Sequence, residues 1–130
     1  MNLNQITIPS KNLEISLAFY QKLGLKLIVK ALPHYLRFEC PKGEATFSVH
    51  LQDTLPVGQG AYIYFESDEL DEAVKRLVKA GISFDELPTD KRWLWREARL
   101  KDPDGNLLLL YKAGINRKNP PWRIEDPTTN

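Results

Sequence analysis

A chain of 130 residues with 42% apolar and 27% charged side chains describes one ordinary globular domain, long enough to bury roughly two thirds of its surface. Eighteen basic against seventeen acidic residues leave a formal charge of +1, so no large field draws nucleic acid or an anionic membrane, and neither is expected as a partner. The single cysteine, Cys40, excludes an internal disulfide and a cysteine-built zinc site, and Met1-Asn2-Leu3-Asn4 has neither the basic nor the apolar region of a secretory leader, so the expected compartment is the cytoplasm.

The first predicted element is the alternating strand Gln5-Ile6-Thr7-Ile8. A helix follows from Leu13, with apolar positions at Leu17 and Tyr20, Asn12 as N-cap, Glu14 favourable to the dipole and Gly24 suited to a left-handed cap. Three strands come next, Lys26 to Ala31, Tyr35 to Glu39 and Ala45 to Leu51, the last two joined by the turn Cys40-Pro41-Lys42-Gly43. The same order then recurs. A strand over Tyr62-Ile63-Tyr64-Phe65 precedes a helix running from Leu70 through Val74 and Leu77 to Gly81, with Asp68 as N-cap, and strands are expected at Ser83 to Glu86, Arg96 to Lys101 and Leu107 to Lys112.

The two halves are copies. Gln5 and Tyr62, Leu13 and Leu70, Leu17 and Val74, Tyr20 and Leu77, and Gly24 and Gly81 all lie 57 positions apart, one offset across strand, helix and cap. Each half reads β-α-β-β-β, giving an α+β domain over residues 1–112, with module one at 1–57 and module two at 58–112. A tail over 113–130 contains Pro120-Pro121-Trp122; its prolines favour extended chain, Trp122 is a ready anchor on a pocket mouth or a second subunit, and Glu125 to Asn130 should fray.

Asn12-Leu13, Ala18-Phe19-Tyr20, Leu23-Gly24-Leu25 and the turn Asp102-Pro103-Asp104-Gly105-Asn106 resemble the signatures of the vicinal oxygen chelate superfamily, which includes glyoxalase I, bleomycin resistance proteins and extradiol dioxygenases. The resemblance implies two βαβββ modules forming an open eight-stranded barrel, helices outside, with a ligand and often a divalent metal on the concave side. The family's four ligand places would fall at Gln5, Ser48 or His50, Tyr62 and Leu109. Only Gln5 and His50 could contact a metal there, too few for a tight site, and the second histidine, His34, sits in a loop; no cofactor is therefore expected.

Strand alternation assigns faces. Ile6, Ile8, Phe47, Val49, Ile63 and Phe65 should lie under the helices, leaving Gln5, Thr7, Ser48, His50, Tyr62 and Tyr64 on the concave side. If the strand at Arg96 begins as early as Trp93, then Trp93, Trp95, Glu97 and Arg99 join that face. Indole faces stack on planar ligands, Arg37 or Arg99 can hold a carboxylate in a bidentate fork, and His50 with Glu97 can relay a proton. The expectation is a small-molecule-binding protein, metal-independent and homodimeric; the alternative is a glyoxalase-like lyase or isomerase, or less readily a dioxygenase, acting on a hydroxy, keto or planar acid substrate through His50 and Glu97 with a weak or non-standard metal site.

Overall fold

The computed structural model of the protein describes residues 1–124; the end expected to fray, Glu125 to Asn130, lies outside them. The chain runs β1 (Gln5–Ser10), α1 (Leu13–Leu23), β2 (Lys26–Ala31), β3 (Tyr35–Glu39) and β4 (Thr46–Leu51), then β5 (Tyr62–Glu66), α2 (Leu70–Lys79), β6 (Glu86–Asp90), β7 (Arg96–Lys101) and β8 (Leu107–Lys112). Each module builds its own four-stranded sheet, ordered β1-β4-β3-β2 and β5-β8-β7-β6. The first and last strands of each module pair in parallel and the remaining neighbours antiparallel. No ladder joins the two sheets among the described residues, so the eight strands form an open arrangement. No helix among those residues is long and apolar enough to cross a membrane.

Local chemistry explains the first helix. The Asn12 side chain accepts from the Ile15 N–H at 3.1 Å, satisfying a donor left over at the helix start, and Gly24 ends the helix at φ +110°, a conformation an L side chain resists. The second helix departs from expectation. Its cap position is Glu69 and not Asp68, with no side-chain cap; Ser67 Oγ instead accepts from the Glu69 N–H at 3.3 Å.

Three further expectations are corrected. The strand placed at Ser83 to Glu86 lies at Glu86–Asp90, carrying Pro88 on a sheet edge with a break in register between Glu86 and Thr89. An edge strand can hold a proline because half its N–H groups have no ladder partner to lose. β7 begins at Arg96, so Trp93 and Trp95 are not strand residues: Lys91 to Trp95 forms a tight loop with Leu94 at φ +68°. The tail is not wholly extended, since Gly114–Arg117 makes one 3₁₀ turn before Pro120 and Pro121.

One face of each sheet is apolar and packs under its helix. Ile8, Leu36, Phe38, Phe47 and Val49 meet Leu13 and Tyr20, while Ile63, Ala98, Leu100, Leu108 and Leu110 meet Leu70, Val74 and Leu77, all in one continuous core. Phe47 and Phe65 join the two halves with ring centres 5.6 Å apart.

A polar latch reinforces that junction. The turn 102–106 of module two docks on the first corner of module one, where the buried Asp102 carboxylate accepts from the Tyr20 hydroxyl at 2.6 Å, the Asn106 amide at 2.8 Å and the backbone N–H groups of Asp104 and Asn106 at 2.9 and 2.8 Å. Asn106 also donates to the Pro9 carbonyl at 3.2 Å, and Asp104 accepts from the Lys11 N–H and from Ser16 Oγ. Burial, together with the neighbouring Asp102 charge, pushes the Tyr20 phenol well above the ordinary tyrosine range, so it stays a donor.

Candidate functional site

With the apolar faces committed to the core, the opposite faces carry the polar side chains, and the ladders fix which residues correspond between the modules. Gln5 lies opposite Thr46 and Thr7 opposite Ser48; Tyr62 lies opposite Leu107 and Tyr64 opposite Leu109. Since Gln5 and Tyr62 are counterparts in the repeat, so are Ser48 and Leu109. Arg37 opposite Ser48 then corresponds to Arg99 opposite Leu109, and Tyr35 opposite His50 to Glu97 opposite Tyr111.

In module one these groups satisfy one another. Gln5 Nε2 donates to Ser48 Oγ at 2.6 Å, its carbonyl accepts from the Thr46 hydroxyl, Ser48 Oγ shares a 2.5 Å hydrogen bond with the Tyr35 hydroxyl, and Arg37 Nε donates to that same hydroxyl at 2.8 Å. Burial alone would raise the Tyr35 phenol, but the hydrogen bonds to Ser48 and Arg37 and the guanidinium charge outweigh it and hold it below the ordinary value. Thr7 is reached by Gln5 at 3.3 Å. His50 is exposed, with Nδ1 2.9 Å from the Gln52 amide, and lines a depression of about 520 Å³ with Thr7, Pro9, Leu55 and Pro56. No hydrogen bond or ion pair links His50 to Glu97.

Module two is built differently. Glu97 is 1% exposed, yet its carboxylate makes one hydrogen bond, from Trp93 Nε1 to Oε2 at 2.7 Å, and Oε1 is buried without a partner. Arg99 Nε is likewise buried without a partner, and its guanidinium stands 5.9 Å from the centre of the Tyr62 ring. Across the ladder from Arg99, the Glu86 carboxylate is taken by the Lys91 ammonium at 2.7 Å. Tyr62, Tyr64 and Trp93 remain about two-fifths exposed over the fully buried Leu109. Trp95 points its N–H to the Asn116 carbonyl at 3.2 Å and packs against Tyr111 and edge-on against Tyr64. Burial and the Glu97 charge raise the Tyr64 phenol, while Tyr111 is raised by burial and Glu66.

The structure thus gathers Tyr62, Tyr64, Trp93, Glu97 and Arg99 on one face, with Trp95 at its edge, and leaves Gln5, Thr7, Arg37, Ser48 and His50 on the other sheet. Sequence reasoning passed over Tyr35 and Tyr111. Strand parity with Arg37 and Leu109 is the signal that could have found them.

Compared with known proteins, residues 2–110 match the family model described as the Glyoxalase/Bleomycin resistance protein/Dioxygenase superfamily. The chain belongs to that superfamily. A trivalent organoarsenical cleaving enzyme from Bacillus sp. (strain MD1) is 32% identical over 107 residues, which are 73% of this chain and 63% of that enzyme's length. A glyoxalase/bleomycin resistance protein/dioxygenase from Nocardioides superposes with a TM-score of 0.77 at 22% identity, over 96% of this chain and 90% of the other. A bleomycin-binding protein solved with bleomycin superposes at 0.69 with 22% identity, over 86% and 98% of the two chains.

Members of the superfamily often hold a divalent metal, and the residues here do not fit one. The four places carry the Gln5 amide, already spent on Ser48 and Thr46, the fully buried Ser48 hydroxyl or the exposed His50 imidazole, whose Nδ1 meets the Gln52 amide, the Tyr62 phenol, and Leu109, a hydrocarbon. Among the described residues no three His, Cys, Asp or Glu side chains cluster at metal-holding distance.

Proposed function

We propose that this superfamily member is a cytoplasmic, homodimeric small-molecule-binding protein that takes a planar acid on the concave face of module two, without a metal and with no nucleic acid or membrane as partner. The observation that carries the reading is Arg99: a guanidinium with no ion pair among the described residues, 5.9 Å from the centre of the Tyr62 ring, on a face where Tyr62, Tyr64 and Trp93 are left open to solvent. An aromatic acid would satisfy both at once, its carboxylate on the guanidinium and its ring on the aromatic surface. The superposed bleomycin-binding protein, solved with its ligand, supports binding as a use of this fold.

Benzoate is expected to quench tryptophan fluorescence saturably, and Arg99→Gln to weaken it by about tenfold, the worth of one charge-assisted contact. Excess EDTA should leave the affinity unchanged and the thermal midpoint within about a degree, since removing a metal that the fold does not use alters no linkage. Absence of saturable quenching by benzoate and by other aromatic acids would overturn the reading. Similarity to the organoarsenical cleaving enzyme favours the lyase side of a second reading, a lyase or isomerase. It ranks second because His50 and Glu97 belong to different sheets and no hydrogen bond links them.

The homodimer has its own support. Ile115 and Trp122 are 73% and 55% exposed near the chain end, apolar surface of the kind that interfaces cover. Sedimentation at micromolar protein should give twice the chain mass; a species of single-chain mass throughout would refute it.

A further inference from the structure

The duplication makes an internal control. At corresponding places module one has Gln5, Ser48, Tyr35 and Arg37, which close into one hydrogen-bonded chain, whereas module two has Tyr62, Leu109, Glu97 and Arg99, which do not. Leu109 offers no polar atom where Ser48 bridges its neighbours, and the Tyr62 ring takes the place of the Gln5 amide. Of these four residues two keep a buried polar atom without a partner, the Glu97 Oε1 acceptor and the Arg99 Nε donor, whereas Glu86 Oε1, on the residue across the ladder from Arg99, has no hydrogen bond but stands 2.7 Å from the Lys91 ammonium.

Buried polar groups in folded proteins are normally paired, and leaving one unpaired is costly, the more so when it is charged. No Lys or Arg lies within ion-pair distance of Glu97, and Trp93 supplies a neutral N–H to one oxygen only. From these two open valences on one strand face we propose that the ligand is bifunctional: an acid that also carries an N–H donor, its anionic group held by Arg99 and its donor accepted by Glu97 Oε1. The inference rests on the reading of this face as a binding site and adds the ligand's second group. Glu97 then selects among acids, turning away those without a donor because its oxygen would stay unpaired.

The test compares benzoate, aniline and the three aminobenzoate isomers by tryptophan quenching. At least one aminobenzoate should bind about tenfold more tightly than benzoate, with aniline weakest of all. In Glu97→Gln the Trp93 N–H will take the amide oxygen, turning the NH₂ toward the ligand, so the amine advantage should vanish while benzoate affinity holds. The Trp93 indole N–H resonance should shift with the preferred aminobenzoate and far less with benzoate. If every isomer binds no better than benzoate in the wild-type protein, the bifunctional ligand is refuted while the acid site stands; if neither benzoate nor any aminobenzoate binds, the functional reading falls and this one with it. The wild-type comparison decides the matter even if Glu97→Gln does not fold.

Discussion

Asp102→Ala is expected to destabilise the protein by about 4 kcal/mol, the upper part of the range for losing one partner from a buried charged network. Four donors converge on this carboxylate: the Tyr20 hydroxyl, the Asn106 amide and two backbone N–H groups, all inside the junction between the modules. Alanine would leave them facing a cavity, and for a domain of this size the midpoint of thermal unfolding should fall by about 12 °C. Asp102→Asn should cost roughly half as much, because one amide oxygen still accepts the backbone donors while its NH₂ opposes the Asn106 amide. The Tyr20 phenol adds a pH signature. Its pKa is raised on folding, so its contribution is complete below the unfolded tyrosine value of about 10 and is lost as pH climbs above it. Tyr20→Phe should flatten that alkaline loss. Denaturant unfolding that places Asp102→Ala within 1 kcal/mol of wild type, on the scale of an ordinary surface change, would mean that the latch does not hold the modules together.

Glu97→Leu should do the opposite. A buried carboxylate with a single neutral donor is a liability to the fold, and a hydrocarbon of similar size is expected to raise stability by about 2 kcal/mol. Trp93, being more than one third exposed, can give its N–H to water instead. The same change should erase the preference for an acid bearing an amine, so stability and selectivity would move in opposite directions at one residue. A loss of more than 1 kcal/mol, a typical destabilising substitution, would show that Glu97 has a structural partner and would remove it from the site.

Much of the fold was legible because it follows local rules. The Asn12 cap and the left-handed Gly24 rest on chemistry confined to a few neighbouring residues, and the 57-residue offset shows because both modules repeat the same local pattern. β6 was not legible, because Pro88 reads as an interruption unless one knows that the strand lies at the edge of its sheet. The loop at Leu94 was hidden for a related reason: a leucine holds the left-handed conformation where a glycine would have announced a turn. At the site, parity correctly placed Tyr62, Tyr64, Glu97 and Arg99 on one face. It could not reveal which polar atoms find partners, since the chain from Gln5 through Ser48 and Tyr35 to Arg37 crosses three strands, and the same positions in module two stay open. The ligand signal lies in that difference between the copies.

The latch at Asp102 also bears on connectivity. Its acceptors and donors recognise Pro9, Lys11, Ser16 and Tyr20 by shape and hydrogen bonding, with no regard for whether those residues belong to the same polypeptide. Only the reach of the connector between Leu51 and Tyr62 keeps the two halves of one chain together. A connector too short for that reach would leave every latch contact available between two copies, each lending its second half to the other, and domain swapping would follow from a deletion that touches neither half.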